Sequence, residues 1–126
     1  MSMPRILVVD DEPPILRMVS IALTSRGYEV ESASHPHIAL ELMRRSNPVF
    51  DVLVSDVIMP EMCGPELARH MVQMCPRSAV VLMSGCITPE ALPKGAVFIS
   101  KPFVISDLYR AVEKALGCAP NERHFF

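Results

Sequence analysis

An apolar run that ends on a carboxylate constrains this 126-residue chain more than any other stretch. Residues 50–58 read Phe-Asp-Val-Leu-Val-Ser-Asp-Val-Ile, and Pro60 follows shortly after them. A short run rich in Val and Leu that stops at a turn signal is typical of a buried strand in a parallel sheet. We therefore place Asp56 at the carboxyl end of a strand, which is the edge where ligands bind in open α/β sheets.

Strand-like and helix-like segments alternate along the rest of the chain. Helical spacing of apolar residues, Met18 among them, follows Pro13 and Pro14, and Ser106 is a candidate cap for a last helix. Strands alternating with helices predict βαβ units and a parallel sheet covered on both faces. The expected fold is a three-layer α/β/α, flavodoxin-like, doubly wound sheet of five parallel strands in the order 2-1-3-4-5. The predicted strands are residues 5–9, 28–32, 50–56, 79–83 and 97–99.

Composition limits the classes of function. Half of the residues are hydrophobic and 21% are charged, which is typical of one globular domain, and we expect it at 1–118 with a tail at 119–126. A net charge of −2 without a Lys/Arg cluster argues against nucleic-acid binding. No signal peptide and no membrane-length apolar run is evident, so we expect a cytoplasmic protein.

The predicted strand order brings three carboxylates together. Asp10 and Asp11 follow the first strand, which lies beside the strand that ends on Asp56. Three carboxylates at one place repel each other unless a cation joins them, and Mg²⁺ (or Mn²⁺) prefers such oxygen ligands. An Asp carboxylate is also a competent nucleophile toward phosphorus. Ser84 and Lys101, at neighbouring strand ends, offer a hydroxyl and an ammonium group to phosphoryl oxygens.

Four short motifs, taken in order, resemble those of response-regulator receiver domains of bacterial two-component signalling. The resemblance runs from about residue 5 to residue 116, nearly the whole chain. Each motif alone is weak, but four in sequence at strand ends are highly specific. They are Val-Val-Asp-Asp-Glu at 8–12, the D-x-x-M-P-x-x-x-G pattern at 56–64, Ser-Gly at 84–85 and Lys-Pro-Phe at 101–103.

The resemblance implies a role for each matching position. Asp56 is expected to accept a phosphoryl group from a phosphohistidine of a histidine kinase, and the family does not turn over external substrates as an enzyme does. The remaining roles implied are these: Asp10, Asp11, Asp56 and the main-chain carbonyl of Ile58 hold Mg²⁺; Ser84 is the switch hydroxyl; Lys101 contacts the phosphoryl group; Phe98 is the switch aromatic; and the peptide bond before Pro102 is cis.

The chain departs from the family between Ser84 and Lys101, which are only 17 positions apart. Residues 86–96 contain two prolines and a glycine, so the fourth helix of the family is expected to be short or absent. In the family, the surface that includes the fourth helix often forms the dimer interface. Because that helix is expected to be short or absent here, we expect a monomer or weak dimer. Ile58 and Cys86 lie two positions after Asp56 and Ser84 and are poor at orienting water, which predicts slow self-dephosphorylation.

Alternative functions remain open at this stage. The leading interpretation is a phosphorylated switch that changes the binding of an unknown downstream protein. The alternative is a phosphorelay intermediate that exchanges phosphate with a histidine phosphotransfer protein. An unphosphorylated interaction module, a phosphatase with an Asp nucleophile and a flavodoxin-like cofactor carrier fit the motifs less well. The four histidines have no i, i+4 spacing and no Cys partner, so their pattern does not predict a zinc site.

Overall fold

The computed structural model describes residues 3–45, 49–85 and 95–117. These residues form five strands and four helices. The elements in chain order are β1 (Arg5–Val9), α1 (Pro13–Ser25), β2 (Glu29–Ala33), α2 (Pro36–Arg45), β3 (Val52–Asp56), α3 (Gly64–Met74), β4 (Ala79–Ser84), β5 (Val97–Ser100) and α4 (Ile105–Gly117). Among these residues there is no helix long and apolar enough to cross a membrane.

The five strands form one parallel sheet in the order β2-β1-β3-β4-β5, which confirms the predicted topology. Strand β3 lies in the centre, where each of its residues is buried. Val9 of β1 is paired with Ser55 of β3, and Asp56 is paired with Met83 of β4. This register ends β1, β3 and β4 at nearly the same level, so the residues that follow them meet at one edge of the sheet.

Two apolar clusters cover the two faces of the sheet. Alternate residues of each strand point to opposite faces, so Leu53 belongs to the cluster beneath α2 and α3, whereas Val54 belongs to the cluster beneath α1 and α4. Because the central strands are buried from both sides, they read as continuous apolar runs in the sequence. These two layers fix the sheet and hold its carboxyl edge in place.

Two predictions about helices are wrong. Ser106 lies inside α4 and does not cap it; instead the Asp107 carboxylate accepts a hydrogen bond of 3.3 Å from the Val104 N–H before the helix. Met18 was assigned to the inner face of α1, but its side chain is exposed. The short fourth helix expected within 86–96 falls largely on residues 86–94, and the tail at 119–126 is likewise outside the described residues.

Candidate functional site

Asp56 ends the central strand and is only 6% exposed. The turn after it is closed tightly, since the Gly64 N–H donates a 2.8 Å hydrogen bond to the Val57 carbonyl. A Cβ atom on Gly64 would overlap the Asp56 carbonyl oxygen, so only glycine fits where α3 begins. The Ser55 hydroxyl donates to that same carbonyl at 2.9 Å. The backbone around the carboxylate is therefore held from both sides.

Asp10 and Asp11 follow β1 and face Asp56. Asp10 is fully buried, and its Oδ1 accepts a 2.9 Å hydrogen bond from the Glu12 N–H. Asp11 is partly buried. Carboxylate oxygens of Asp10, Asp11 and Asp56 lie within 4.8 Å of one another. The three side chains therefore converge as predicted.

Lys101 reaches the same carboxylates from the end of β5. Its Nζ lies 3.0 Å from Asp10 Oδ2, 3.1 Å from Asp56 Oδ2 and 3.5 Å from Glu12 Oε1. The Lys101 N–H donates to the Ser84 carbonyl at 3.0 Å, which ties the ends of β4 and β5 together. The peptide bond between Lys101 and Pro102 is cis. One ammonium group thus bridges carboxylates that arise from two different strands.

Burial and charge act in opposite directions at this site. Burial raises the pKa of Asp10 above its ordinary value, and the Glu12 N–H and Lys101 oppose that rise without cancelling it. Burial alone would lower the pKa of Lys101, but its hydrogen bond and ion pair with Asp10, followed by those with Asp56, outweigh burial and raise it. Lys101 is therefore held as a cation, and the buried carboxylates still crowd one another.

The donor set fits a hard divalent cation. The three clustered carboxylates offer oxygen ligands only, and at least one of them is fully removed from solvent. Mg²⁺ is usually held by one or two carboxylates with several waters and a phosphate oxygen. The acidic pocket can hold such an ion, with the Asp11 side facing an open cleft that is also lined by Ile58, Ser84 and Gly85.

The other predicted site residues surround the cleft at different depths. Ser84 is 3% exposed and lines the cleft at the end of β4. The Ile58 N–H lies 3.4 Å from Asp56 Oδ1, and the Ile58 side chain is exposed at the rim. Phe98, on β5, is half-buried and packs against the cluster beneath α2 and α3. Cys86, the second predicted tuning residue, lies outside the described residues.

Three residues with structural roles at the site were not singled out from the sequence. Glu12 contributes a third carboxylate near Lys101. Gly64 allows α3 to approach the Asp56 carbonyl, and a Cβ atom on Gly85 would lie 3.3 Å from the Lys101 carbonyl oxygen. The signal for the glycines was their place in the motifs at 56–64 and 84–85, but their close approach depends on packing that a motif does not encode.

This fold and this site define a receiver domain, and a comparison with protein families agrees. The model of the response regulator receiver domain matches residues 6–113, so the chain belongs to that family.

Individual relatives show how the domain is used elsewhere. The response regulator receiver protein CpdR of Brucella abortus is 34% identical over 122 residues, covering 93% of this chain and 100% of that protein. The sensor kinase CckA of the same organism is 38% identical over 117 residues, which cover 88% of this chain but only 12% of the kinase. The solved chemotaxis protein CheY4 of Vibrio cholerae has a TM-score of 0.80 at 33% identity, with 91% and 100% coverage.

Proposed function

We propose that this receiver domain is a phosphoacceptor switch in which Asp56 takes a phosphoryl group from the phosphohistidine of a histidine kinase. The observation that carries the proposal is the bridge from Lys101 Nζ to Asp10 and Asp56, at 3.0 Å and 3.1 Å, beside the three-carboxylate pocket. A nucleophilic carboxylate, a cation and a metal-binding acidic pair are the groups that phosphoryl transfer to an aspartate needs.

The transfer step follows from these groups. An Asp56 oxygen attacks phosphorus, a P–O bond forms as the P–N bond to the donor imidazole breaks, and the imidazole leaves with its electron pair. When bound by Asp10, Asp11, Asp56 and the Ile58 carbonyl, Mg²⁺ would supply positive charge to the equatorial oxygens. Lys101 then exchanges its contact with a carboxylate for one with a phosphoryl oxygen, and the Ser84 hydroxyl donates to another.

The consequence of phosphorylation is a change in the binding of a downstream protein, and we propose that the chain is not a turnover enzyme. Ser84 and Phe98 lie on neighbouring strands, β4 and β5, whose register pairs Leu82 with Phe98 and Ser84 with Ser100. Movement of the Ser84 hydroxyl toward the phosphoryl group would therefore shift β4 against its neighbour β5, and with it the ring of Phe98. The chain would be cytoplasmic, because the partner kinase forms its phosphohistidine with ATP in that compartment.

Phosphorylation with a small phosphodonor tests the proposal directly. We expect the intact chain, incubated with Mg²⁺ and acetyl phosphate, to gain one phosphoryl group that mass spectrometry assigns to Asp56. Asp56→Asn should abolish the gain. Asp51→Asn is the matched control, because Asp51 immediately precedes the same strand and its Oδ2 accepts a 2.8 Å hydrogen bond from the Arg5 N–H, away from the pocket. Modification that survives Asp56→Asn would overturn the assignment.

A phosphorelay intermediate is the second candidate function, favoured by the similarity to part of the sensor kinase CckA. In that case phosphate on Asp56 should pass rapidly to a histidine phosphotransfer protein, with the P–O bond breaking as a new P–N bond forms. Single-turnover transfer from the phosphorylated chain separates the two functions. Loss of phosphate only to water, with no labelled phosphotransfer protein, would favour the switch.

A further inference from the structure

Two histidines and a glutamate that lie far apart in sequence meet on the surface outside the acidic pocket. His35 Nδ1 lies 3.5 Å from Glu61 Oε1, and His37 Nε2 lies 3.3 Å from Glu61 Oε2. The histidines flank Pro36, the first residue of α2, whereas Glu61 belongs to the loop between β3 and α3. The proposed phosphoacceptor function uses none of these three side chains.

The backbone at both sides of this cluster is constrained. Pro36 is buried and fixes the chain between the two imidazoles, and the Ala39 N–H donates a 3.1 Å hydrogen bond to the His35 carbonyl. Glu61 has a φ of 71°, and no other described residue except glycine has a positive φ. This left-handed conformation is unfavourable for a residue that has a side chain. Here it accompanies a carboxylate that lies between the two imidazoles.

The donor atoms are of the kind that a borderline transition metal prefers. Imidazole nitrogens and carboxylate oxygens bind Zn²⁺ at roughly 2.0–2.2 Å, which places neighbouring ligand atoms of a tetrahedral site about 3.3–3.5 Å apart. The two N–O separations, 3.5 Å and 3.3 Å, fall in that range, but one donor atom from each of the three side chains does not come within 4.8 Å of the other two. Each imidazole contacts a different oxygen of Glu61, so at least one side chain must rotate to meet a common ion. The side chains are 48%, 65% and 54% exposed, which leaves room to rotate onto one ion.

We propose that His35, His37 and Glu61 form a surface site for a divalent transition-metal ion such as Zn²⁺, with water completing the coordination. The set of two imidazoles and one carboxylate differs in kind from the all-oxygen pocket at Asp10, Asp11 and Asp56, so the two sites select different metals. An ion held there joins the start of α2 to the loop that runs from Asp56 to α3.

Titration of the complete chain with Zn²⁺, in excess Mg²⁺ and a non-thiol reductant, tests the site. Excess Mg²⁺ occupies the acidic pocket, and the imidazole signals in long-range ¹H–¹⁵N spectra then report where Zn²⁺ binds. We expect the signals of His35 and His37 to shift together, saturating at one equivalent. His37→Ala and Glu61→Gln should each weaken binding by at least about tenfold, the loss of one good ligand contact.

His70→Ala is the matched control, because His70 is the remaining described histidine and lies on α3. It should bind Zn²⁺ as the parent chain does. Because the chain also has four cysteines, Co²⁺ is the second probe, since thiolate ligands give an intense near-ultraviolet charge-transfer band that imidazole and carboxylate do not. Unchanged affinity in His37→Ala or Glu61→Gln, unmoved His35 and His37 signals, or a thiolate band at the first equivalent would each overturn the proposal.

Discussion

Both the main chain and the side chain of Ile58 lie where they can affect an acyl phosphate on Asp56. Its main chain lies against the Asp56 carboxylate, with 3.4 Å from the Ile58 N–H nitrogen to Asp56 Oδ1, while its side chain is 61% exposed. This exposed aliphatic group lines the cleft beside Asp56 and offers attacking water no hydrogen bond. Under the proposed function, we therefore expect this side chain to affect the lifetime of phosphate on Asp56.

Replacing Ile58 by Asn should shorten that lifetime. The amide can hold a water molecule beside the phosphoryl group, and we expect hydrolysis to accelerate by roughly tenfold, equivalent to about 1.4 kcal/mol in the barrier. The decay of phosphorylated chain, followed by mass spectrometry after the phosphodonor is removed, measures this. Ile58→Val is the control and should decay like the parent, whereas equal decay of Asn and parent chains would argue against a role for water access here.

Asp10 predicts how stability depends on pH and metal. Burial raises its pKa in the folded state above the ordinary value of 3.8. The ionised carboxylate therefore lowers the free energy of unfolding at neutral pH. That cost is absent below 3.8 and appears as the pH rises through the raised pKa. Without metal at pH 7, the free energy of unfolding of Asp10→Asn should therefore exceed that of the parent chain by on the order of 1 kcal/mol.

Urea unfolding in a metal chelator, compared at neutral and acid pH, measures this difference. The advantage of Asp10→Asn should shrink as the pH falls toward 3.8. Mg²⁺ should stabilise the parent chain more than the variant, because an ion that binds only the folded state adds to its stability. A variant that is less stable than the parent at pH 7 in chelator would mean that the contact with Lys101 outweighs burial at this position.

At the scale of elements, the junction between β3 and α3 leaves no room for a side chain. Helix α3 begins at Gly64, whose missing side chain lets the helix approach the Asp56 carbonyl. Gly64→Ala should displace that first turn and cost roughly 1–3 kcal/mol, as overpacking typically does. It should also slow phosphorylation of Asp56, because the same turn carries Ile58.

Gly117 at the end of α4 is the matched control for that substitution. Apart from its chain neighbours and the backbone of α4, no heavy atom of the described residues lies within 4 Å of the Cβ that alanine would add there, so Gly117→Ala should leave stability and phosphorylation close to those of the parent. Thermal unfolding and phosphodonor assays on both variants make the comparison. Equal behaviour of the two alanine variants would show that the close approach at Gly64 is relieved at no cost.

Elements whose pattern is repeated over many residues could be predicted from the sequence, and single contacts could not. The apolar runs of β1, β3 and β4 are buried on both faces, so their composition alone indicates central strands. The cap of α4 was not predicted, because Ser106 lies within the helix and the hydrogen bond from the Val104 N–H to Asp107 depends on where the helix begins. Met18 fits the helical stripe of α1, yet no partner element covers it.

At the scale of the molecule, the site depends on distant pairings rather than on local structure. Strand order predicted that Asp10 and Asp11 would meet Asp56, since that follows from one step of topology. The contact of Lys101 with Glu12, 3.5 Å long and spanning 89 positions, could not be predicted, nor could the contact of His37 with Glu61, because a motif does not specify which side-chain atoms meet. Such contacts depend on rotamers and loop paths that only three-dimensional packing determines.

The bridge between Asp10 and Lys101 joins residues 91 positions apart, on either side of the central strand. A nascent or partly unravelled polypeptide therefore lacks the bridge even where each short motif is intact. Under the proposed function, we therefore expect Asp56 to be phosphorylated efficiently only after the chain has folded. In a cell, only correctly folded chains would then be phosphorylated. Misfolded chains would not signal, and no separate mechanism would be needed to exclude them.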